Sequence, residues 1–316
     1  MVAVTVGAML CAGAVTAPVS AAGHGHSRDP GYVIAGRRVF PEGVAADGRF
    51  VYATSKADGT VYRGAVSGST LEPFLPGGRD GRSTGTGIKS VGGRLLVAGA
   101  ETGRFYVYDT ATGTRVATYT VPDPGRGTFL NDDAATASGD VYITDSTRPV
   151  IYRIPAREVF AHPTGAQRTL QPAITLPAAS YTTGVNANGI VATPDGKALL
   201  AVYSNSGALY RIDLATGATH RVALDRPLIN GDGLLLLGHT LYAARNFDNL
   251  LVTVHLCPNY SRGITTAERG YPGADVPTGL ALSRGRLLVV NSQFDTLFQG
   301  APLTSPTFTI SAVPLR

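Results

Sequence analysis

The sequence predicts an all-β fold, a six-bladed β-propeller with a central metal-binding channel, and three observations support the fold. A polar residue followed by Gly or Asp recurs six times, each recurrence is followed by a turn and a second apolar strand, and no stretch has long helical periodicity. A repeat of roughly 40 to 50 residues with several strands per unit is the signature of a propeller. The chain has 316 residues, 39 Gly and 20 Pro, which fits one large, turn-rich domain better than two domains.

The repeated motif is a polar residue, then Gly or Asp, then usually an aliphatic residue. Its six copies are Glu42-Gly43-Val44, Thr86-Gly87-Ile88, Asn131-Asp132-Asp133, Asn188-Gly189-Ile190, Asp232-Gly233-Leu234 and Thr278-Gly279-Leu280. The third copy is the weakest match, because Asp133 stands where the other copies have an aliphatic residue. Six copies predict six blades.

The chain opens with an expected secretory signal peptide at 1–21. Residues 2–19 are apolar or small, and Val19-Ser20-Ala21 offers a small-x-small cleavage site, although no Lys or Arg precedes the apolar run. The alternative is a transmembrane anchor, but Gly and Pro interrupt the run and it is short for a span of about 20 residues. We therefore expect a secreted protein with a flexible segment at 22–31 and a propeller domain at 32–316.

Each repeat continues with a hairpin turn and further strands. The second strands are predicted at 50–52, 95–97, 141–143, 198–200, 241–243 and 287–289. The third strands are predicted at 60–63, 105–108, 150–153, 209–212, 250–252 and 296–298. Residues 32–34 are a candidate for the terminal strand that closes the ring by joining the last blade.

One interval between copies is about a dozen residues longer than the others, and the extra residues fall in the proline-rich segment 155–187. Long surface loops often carry function, whereas the alternative is a tolerated insertion without a role. Because the segment leads directly into Asn188, we expect it to lie partly over one mouth of the channel.

In a propeller, equivalent positions of the innermost strands point at the axis, so the six polar residues of the motif would converge. Glu42 and Asp232 would then face Asn131 and Asn188, with the two Thr farther round. Two unpaired carboxylates in a dry channel repel each other, and a divalent cation resolves the conflict. Oxygen donors favour Ca²⁺, with Mg²⁺, Mn²⁺ and the less well matched Zn²⁺ as alternatives. The competing explanation is that Asn and Asp before Gly are ordinary turn residues.

Charge and cysteine content narrow the choice of partners. The formal net charge is +5, but the Lys and Arg residues are scattered rather than clustered, so nucleic-acid binding is not expected. Cys257 would be the only cysteine after signal cleavage, so no intramolecular disulfide forms, and we expect a small buried residue rather than a nucleophile. The expected partner of this monomer is a small-molecule substrate, without membrane association after signal cleavage.

At the motif residues the chain resembles the senescence marker protein/gluconolactonase (regucalcin-like) family, which is related to paraoxonases and diisopropyl fluorophosphatase. The matching stretches are Pro41-Glu42-Gly43, Leu130-Asn131-Asp132, Asn188-Gly189-Ile190 and Asp232-Gly233, and the similarity covers about residues 38 to 300. The resemblance implies a six-bladed propeller, a divalent ion held by Glu42, Asn131, Asn188 and Asp232, and substrate contact by Asn131. Such proteins hydrolyse lactones or phosphotriesters. The chain departs from the family because no aromatic residue follows Glu42-Gly43 and no paraoxonase-type histidine pair is present.

These observations favour a secreted, metal-dependent hydrolase of a lactone or related ester, with Asp232 as the catalytic base or nucleophile. Two other classes stay open. One is a non-catalytic secreted propeller that binds a ligand and uses calcium structurally. The other is a strictosidine synthase-like enzyme, for which Glu42 is a poor match to the required catalytic glutamate. Fold alone does not decide among them.

Overall fold

The computed structural model describes residues 31–315 of the chain. The predicted signal peptide, all but the last residue of the predicted flexible segment, and Arg316 lie outside the described residues. Within 31–315 the chain is almost entirely β-structure, as the sequence predicted. No helix in that range is both long and apolar enough to cross a membrane.

The strands of the described chain form six units of four antiparallel strands, apart from two short additions. Counting from the inner strand outwards, the first two units are β2 (Pro41–Ala46), β3 (Phe50–Ser55), β4 (Val61–Ala65) and β5 (Thr70–Leu75), and β6 (Ile88–Val91), β7 (Arg94–Ala98), β8 (Arg104–Asp109) and β9 (Arg115–Thr120). The third and fourth units are β10 (Leu130–Ala135), β11 (Val141–Asp145), β12 (Val150–Ile154) and β14 (Gln171–Thr175), and β15 (Ala187–Ala192), β16 (Ala198–Tyr203), β17 (Ala208–Asp213) and β18 (Thr219–Arg221). The fifth and sixth units are β20 (Gly231–Leu237), β21 (Thr240–Arg245), β22 (Leu250–Leu256) and β23 (Arg262–Arg269), and β24 (Pro277–Ser283), β25 (Arg286–Asn291), β26 (Phe308–Pro314) and β1 (Tyr32–Ile34). The additions are β13 (Ala166–Thr169), parallel to β9, and β19 (Ala223–Leu224), parallel to β23. The two α-helices are α1 (Ala156–Val159) and α2 (Phe294–Gln299), and short 3₁₀ turns lie at Arg79–Gly81, Pro124–Arg126 and Ala178–Ser180.

The inner strands form a closed ring. In chain order each of β2, β6, β10, β15, β20 and β24 contacts the next, and β24 contacts β2. Strand β1 pairs antiparallel with β26, with Tyr32 opposite Ile310, so the N-terminal strand completes the last blade as predicted. The strand also pairs in parallel with β5, and this joins the first and last blades in one eight-stranded sheet. The ring is therefore held by residues far apart in sequence.

The core consists of apolar layers between neighbouring blades, because the second strands are buried on both faces. On β3, Val51 and Ala53 face the layer shared with the last blade, whereas Tyr52 faces the layer shared with the next. On β16, Leu199 and Leu200 divide in the same way between two layers. This burial explains why the second strands read as continuous apolar runs rather than as alternating patterns.

One expectation about the last blade is corrected. The stretch 296–298, expected as a strand, belongs to helix α2, which is flanked by Gln293 and Gly300 in left-handed conformations. The third strand of the last blade is instead β26, whose alternation of apolar and polar residues has the period of a strand.

The long segment 155–187 is mostly regular structure rather than a loop over the channel. It contains α1, β13 on the outside of the second blade, and β14, the outer strand of the third blade. Its last turn reaches the channel mouth through Val185. The expectation of a position over the mouth holds only for this end of the segment.

The pairing of the closing strand β1 with the last blade leads to a prediction about stability. Ile34 is buried in the layer between the first and last blades, whereas Val33 is exposed on the same strand. Ile34→Ala should lower the free energy of unfolding by about 3 kcal/mol through lost burial and a cavity, and Val33→Ala by less than about 1 kcal/mol. Urea unfolding of both variants measures the difference. Equal losses would show that β1 does not contribute to the core.

Candidate functional site

The repeated polar residues lie at β-bulges of the inner strands. In β2, β10, β15, β20 and β24 the pairing with the second strand shifts across two residues, and these are the first two residues of the motif. In the second blade, Thr86 and Gly87 come directly before β6. A bulge bends the strand and re-aims a side chain. The motif is therefore the position at which each inner strand turns a polar side chain away from the regular ladder.

The glycine of the motif permits close approach between neighbouring inner strands. A Cβ atom on Gly189 would lie 2.0 Å from the backbone oxygen of Asp232, and one on Gly43 would lie 2.6 Å from that of Thr86. Similar backbone contacts of 2.5 to 2.7 Å would face a Cβ at Gly87, Gly233 and Gly279. Real side chains do not fit at such distances. The glycines thus allow the polar residues of adjacent blades to gather at the axis.

The structure brings the four predicted ligand residues to one cavity of about 370 Å³ at the channel axis. Glu42, Asn131, Asn188 and Asp232 line it and are all buried. Thr86 also lines the cavity, but its hydroxyl donates a hydrogen bond to the Leu130 oxygen (2.8 Å). The Thr278 hydroxyl likewise donates to the Glu42 oxygen (2.7 Å) and joins the last blade to the first. The two threonines thus link blades, and the other four side chains converge.

Two asparagines hold their amide groups in a fixed orientation. Asn131 Nδ2 donates to Ser146 Oγ (2.9 Å), and Asn188 Nδ2 donates to Ser204 Oγ (3.0 Å). Both hydroxyls in turn donate to backbone oxygens of the next blade. The Oδ1 atoms of both asparagines are buried, and no atom of the described residues donates a hydrogen bond to them. Buried acceptors almost always have a partner, so these two oxygens are available to accept a hydrogen bond from water or to bind a cation in the cavity.

Sequence reasoning missed the residues that orient these side chains. Ser146, Ser204 and Asn246 each follow the second strand of their blade. They lie 15, 16 and 14 residues after the motif residue they contact. This repeated offset between two polar residues was the signal that could have identified them.

The two carboxyl groups of the cavity bind protons more tightly than usual. Burial, followed by repulsion from Asp232 and Asp132, raises the pKa of Glu42 well above its ordinary value. Burial and the charge of Asp132 raise the pKa of Asp232 to about 7, against the lowering effect of a hydrogen bond from Asn246 Nδ2 to Asp232 Oδ2 (3.1 Å). Both shifts express the cost of placing negative charge in this channel.

A second charged cluster, which the sequence reasoning did not predict, adjoins the cavity. Lys89 Nζ lies 2.6 Å from Asp132 Oδ1, and both residues line a narrow continuation of the channel next to Glu42 and Asp232. Burial lowers the pKa of Lys89, but Asp132 and Asp133 outweigh this effect and raise it. Asp133 is completely buried with no hydrogen-bond partner for its carboxylate among the described residues, and burial raises its pKa to about 8.

If ionised, the four carboxyl groups of Glu42, Asp132, Asp133 and Asp232 would share the ammonium group of Lys89. The raised pKa values of Glu42, Asp133 and Asp232 express this excess of negative charge. Lys56 at the cavity wall is already paired with Glu101 (2.7 Å). A bound cation would allow more of these carboxyl groups to ionise. Residues 31–315 contain no group of three or more His, Cys, Asp or Glu side chains placed to hold a metal ion, so a cation here would depend on the two asparagine oxygens.

Apolar side chains surround the opening of the cavity. They are Phe129, Val185, Phe247, Phe294 and Phe298. No histidine of the described chain lines the cavity, so its only side chain able to accept a proton near neutral pH is a carboxylate. We call Glu42, Asn131, Asn188 and Asp232 the polar floor of the cavity, and the five apolar side chains its apolar rim. The polar floor and the apolar rim together define the chemistry that the site offers.

Cys257 is placed differently from the expectation. It is partly exposed in the turn between β22 and β23, not buried. Burial raises the pKa of its thiol, but hydrogen bonds involving Ser261 and Arg262 outweigh that effect and lower it to about 7. The cysteine does not line the central cavity.

The fold is that of known β-propeller proteins. The chain is similar to the major allergen Mala s 1 of Malassezia sympodialis (14% identity, 89% of this chain and 94% of that chain, TM-score 0.65). It is also similar to a catalytically inactive His-to-Ala variant of virginiamycin B lyase from Staphylococcus aureus with quinupristin (15%, 86% and 80%, 0.56). A third similar structure is a luciferin-regenerating enzyme (12%, 89% and 93%, 0.58). At these identities the likeness establishes the fold alone. No protein-family model and no curated protein matches the chain.

The buried Asp133 makes a prediction about pH. Its unfolded carboxyl loses its proton near pH 4, whereas the folded one keeps it up to about pH 8. The stability that this proton contributes is therefore present at acidic pH and is lost as the pH rises through 8. In the presence of a chelator, Asp133→Asn should lose less free energy of unfolding between pH 5 and pH 8 than the unchanged protein, by on the order of 3 kcal/mol.

Urea unfolding at four pH values measures this difference. Asp123→Asn is the matched control, because Asp123 is an exposed carboxylate in a left-handed conformation that Asn also adopts. The free energy of unfolding of the Asp123→Asn protein should change with pH as that of the unchanged protein does. If the Asp133→Asn curve also ran parallel to it, Asp133 would not be the protonated group.

Proposed function

We propose that this chain is a divalent-cation-dependent hydrolase of a lactone or related ester, of the senescence marker protein/gluconolactonase type. The observation that carries the proposal is the pair of unpartnered oxygens, Asn131 Oδ1 and Asn188 Oδ1, in one cavity with Glu42 and Asp232. These four residues would hold the cation. Carboxylate and amide oxygens are the donors that Ca²⁺ prefers, and Mg²⁺, Mn²⁺ or Zn²⁺ are the alternatives.

The cation would supply Lewis-acid stabilisation of negative charge on a carbonyl oxygen. The residues of the chain supply the rest. Asn131 is anchored by Ser146, and its Oδ1 atom would contact substrate as well as the cation. The apolar rim restricts water, which strengthens electrostatic interactions in the cavity.

Asp232 is the proposed base. Asn246 Nδ2 donates a hydrogen bond to its Oδ2 atom, and a carboxylate that binds a cation through one oxygen keeps a second oxygen that can accept a proton. The carboxylate would take a proton from a water molecule as the water oxygen attacks the carbonyl carbon. The ester C–O bond then breaks, and the leaving alkoxide takes the proton back from Asp232. In the covalent alternative, an oxygen of Asp232 attacks the carbonyl carbon and the ester C–O bond breaks, which gives an acyl-aspartate anhydride and an alkoxide that takes a proton from water. The hydroxide left by that water then hydrolyses the anhydride and regenerates the Asp232 carboxylate.

A non-catalytic binding protein with a structural cation is the second candidate. It is favoured by the absence of any histidine from the cavity lining in the described chain, since Asp232 must then serve as both ligand and base. No specific observation favours the strictosidine synthase-like alternative. We also propose that the protein is secreted, on the basis of residues 1–21. It would act as a monomer and would bind a small molecule.

Asp232→Asn tests the proposed role, because it keeps an oxygen ligand and the shape of the side chain but removes the base. Hydrolysis of a lactone in the presence of Ca²⁺ should fall by about two orders of magnitude or more. Asp123→Asn, which removes an exposed carboxylate away from the cavity, should keep full activity. Calcium should still raise the melting temperature of the Asp232→Asn protein, which shows that the fold and the cation survive.

Two results would contradict the proposal in different ways. Full turnover by calcium-loaded Asp232→Asn would remove Asp232 as the base. Calcium-dependent stabilisation of the unchanged protein without turnover of any lactone or ester would favour the binding protein instead.

A further inference from the structure

The opening of the central cavity exposes an unusual set of large apolar side chains. Phe298 is 58% exposed, Phe247 is 41% exposed and Val185 is 39% exposed, and all three line the cavity. They come from three separate segments: helix α2, the turn between β21 and β22, and the end of the long segment. Single exposed apolar residues are common, but several around one concave opening mark a binding surface.

Helix α2 presents Phe298 from a fixed base. The amide of Gln293, just before the helix, exchanges hydrogen bonds of 3.1 Å with the backbone of Ser305. Phe294 is buried and contacts the Phe298 ring edge-on, with ring centroids 5.0 Å apart. The exposed ring is therefore supported by a packed one and is positioned to contact a molecule in the opening.

The part of the chain that the structure describes places no unpaired positive group in the cavity for an anionic ligand. Among residues 31–315, Lys56 is the only cationic side chain in its lining. Its ammonium group contacts Glu101 (2.7 Å) and Thr84 (3.1 Å) and lies over the Phe129 ring. The floor carries the carboxyl groups of Glu42 and Asp232. A carboxylate or phosphate ligand would find no unpaired cationic side chain of residues 31–315 in this lining, whereas an uncharged carbonyl group needs none.

We propose that the cavity binds an uncharged amphiphile, with a carbonyl-bearing head towards the floor and an alkyl or aryl arm against Phe247 and Phe298. The substrate class is then an apolar lactone or ester rather than a polyhydroxylated sugar lactone. The identity of the reacting group rests on the proposed function, but binding of the arm does not.

Binding can be measured without catalysis by using ketones, which carry the carbonyl and the arm but no ester bond. The uncharged fluorescent probe N-phenyl-1-naphthylamine is bound to the calcium-loaded protein and then displaced. Because each added methylene contributes to burial, 2-pentylcyclohexanone should displace the probe at a concentration about tenfold or more below that of cyclohexanone. Glucono-1,5-lactone should displace it least well.

Substitutions at the opening locate the binding surface. Phe298→Ser and Phe247→Ser should each weaken probe binding by about fivefold or more and reduce the advantage of the pentyl chain. Ile264→Ser is the matched control, since Ile264 is an apolar residue of β23 that is 65% exposed and does not line the cavity. The control should bind the probe as the unchanged protein does, and unchanged melting temperatures confirm that all three variants fold.

Equal displacement by the two ketones, or equal loss of binding in Ile264→Ser and Phe298→Ser, would overturn the inference. Stronger displacement by glucono-1,5-lactone than by 2-pentylcyclohexanone would overturn it as well. If the expected binding profile is found but no lactone or ester is hydrolysed, the proposed reaction fails and the inferred ligand class stands.

Discussion

The central channel depends on the close approach of neighbouring inner strands, because only this contact brings side chains from different blades to one point. In five of the six copies the approach depends on a glycine at the second motif position, as the 2.0 Å distance at Gly189 shows, and the third copy has Asp132 there instead. The bulge at the same place turns the preceding polar side chain out of the ladder. Fold and candidate site are thus consequences of one repeated local feature, and a larger residue there would separate blades and disperse the site.

Gathering polar groups in this way places charge where water cannot solvate it. Buried carboxylates must bind protons, pair with cations or hold a metal ion. Two of these responses are present in this channel, since Asp133 has a pKa of about 8 and Asp132 pairs with Lys89. The third is the one proposed for Glu42 and Asp232, which line the same cavity as the unpartnered oxygens of two asparagines. A dication would neutralise the last pair, so the polar floor and the proposed chemistry have the same electrostatic origin.

The repeat in the sequence was sufficient to predict the all-β propeller, the closing strand and the convergence of the four motif side chains. It was sufficient because spacing and glycine placement are local properties that the fold repeats. The serines that orient the asparagines, the pairing of Lys89 with Asp132, and helix α2 were not predicted. Each depends on contacts between segments distant in sequence, or on an insertion within one blade, and neither leaves a periodic signal. The apolar rim was missed for the same reason, since its side chains come from unrelated loops.

The central claim is that Glu42, Asn131, Asn188 and Asp232 hold one divalent cation at the channel axis. A crystal structure of the protein grown with Ca²⁺, with Mn²⁺ substituted to give an anomalous signal, tests it most directly. We expect one strong peak in the cavity, with Ca²⁺ bound by oxygens of all four side chains at about 2.3–2.6 Å. A cavity that holds only water hydrogen-bonded to the two asparagine oxygens, or an ion bound at Asp132 and Asp133 instead, would contradict it.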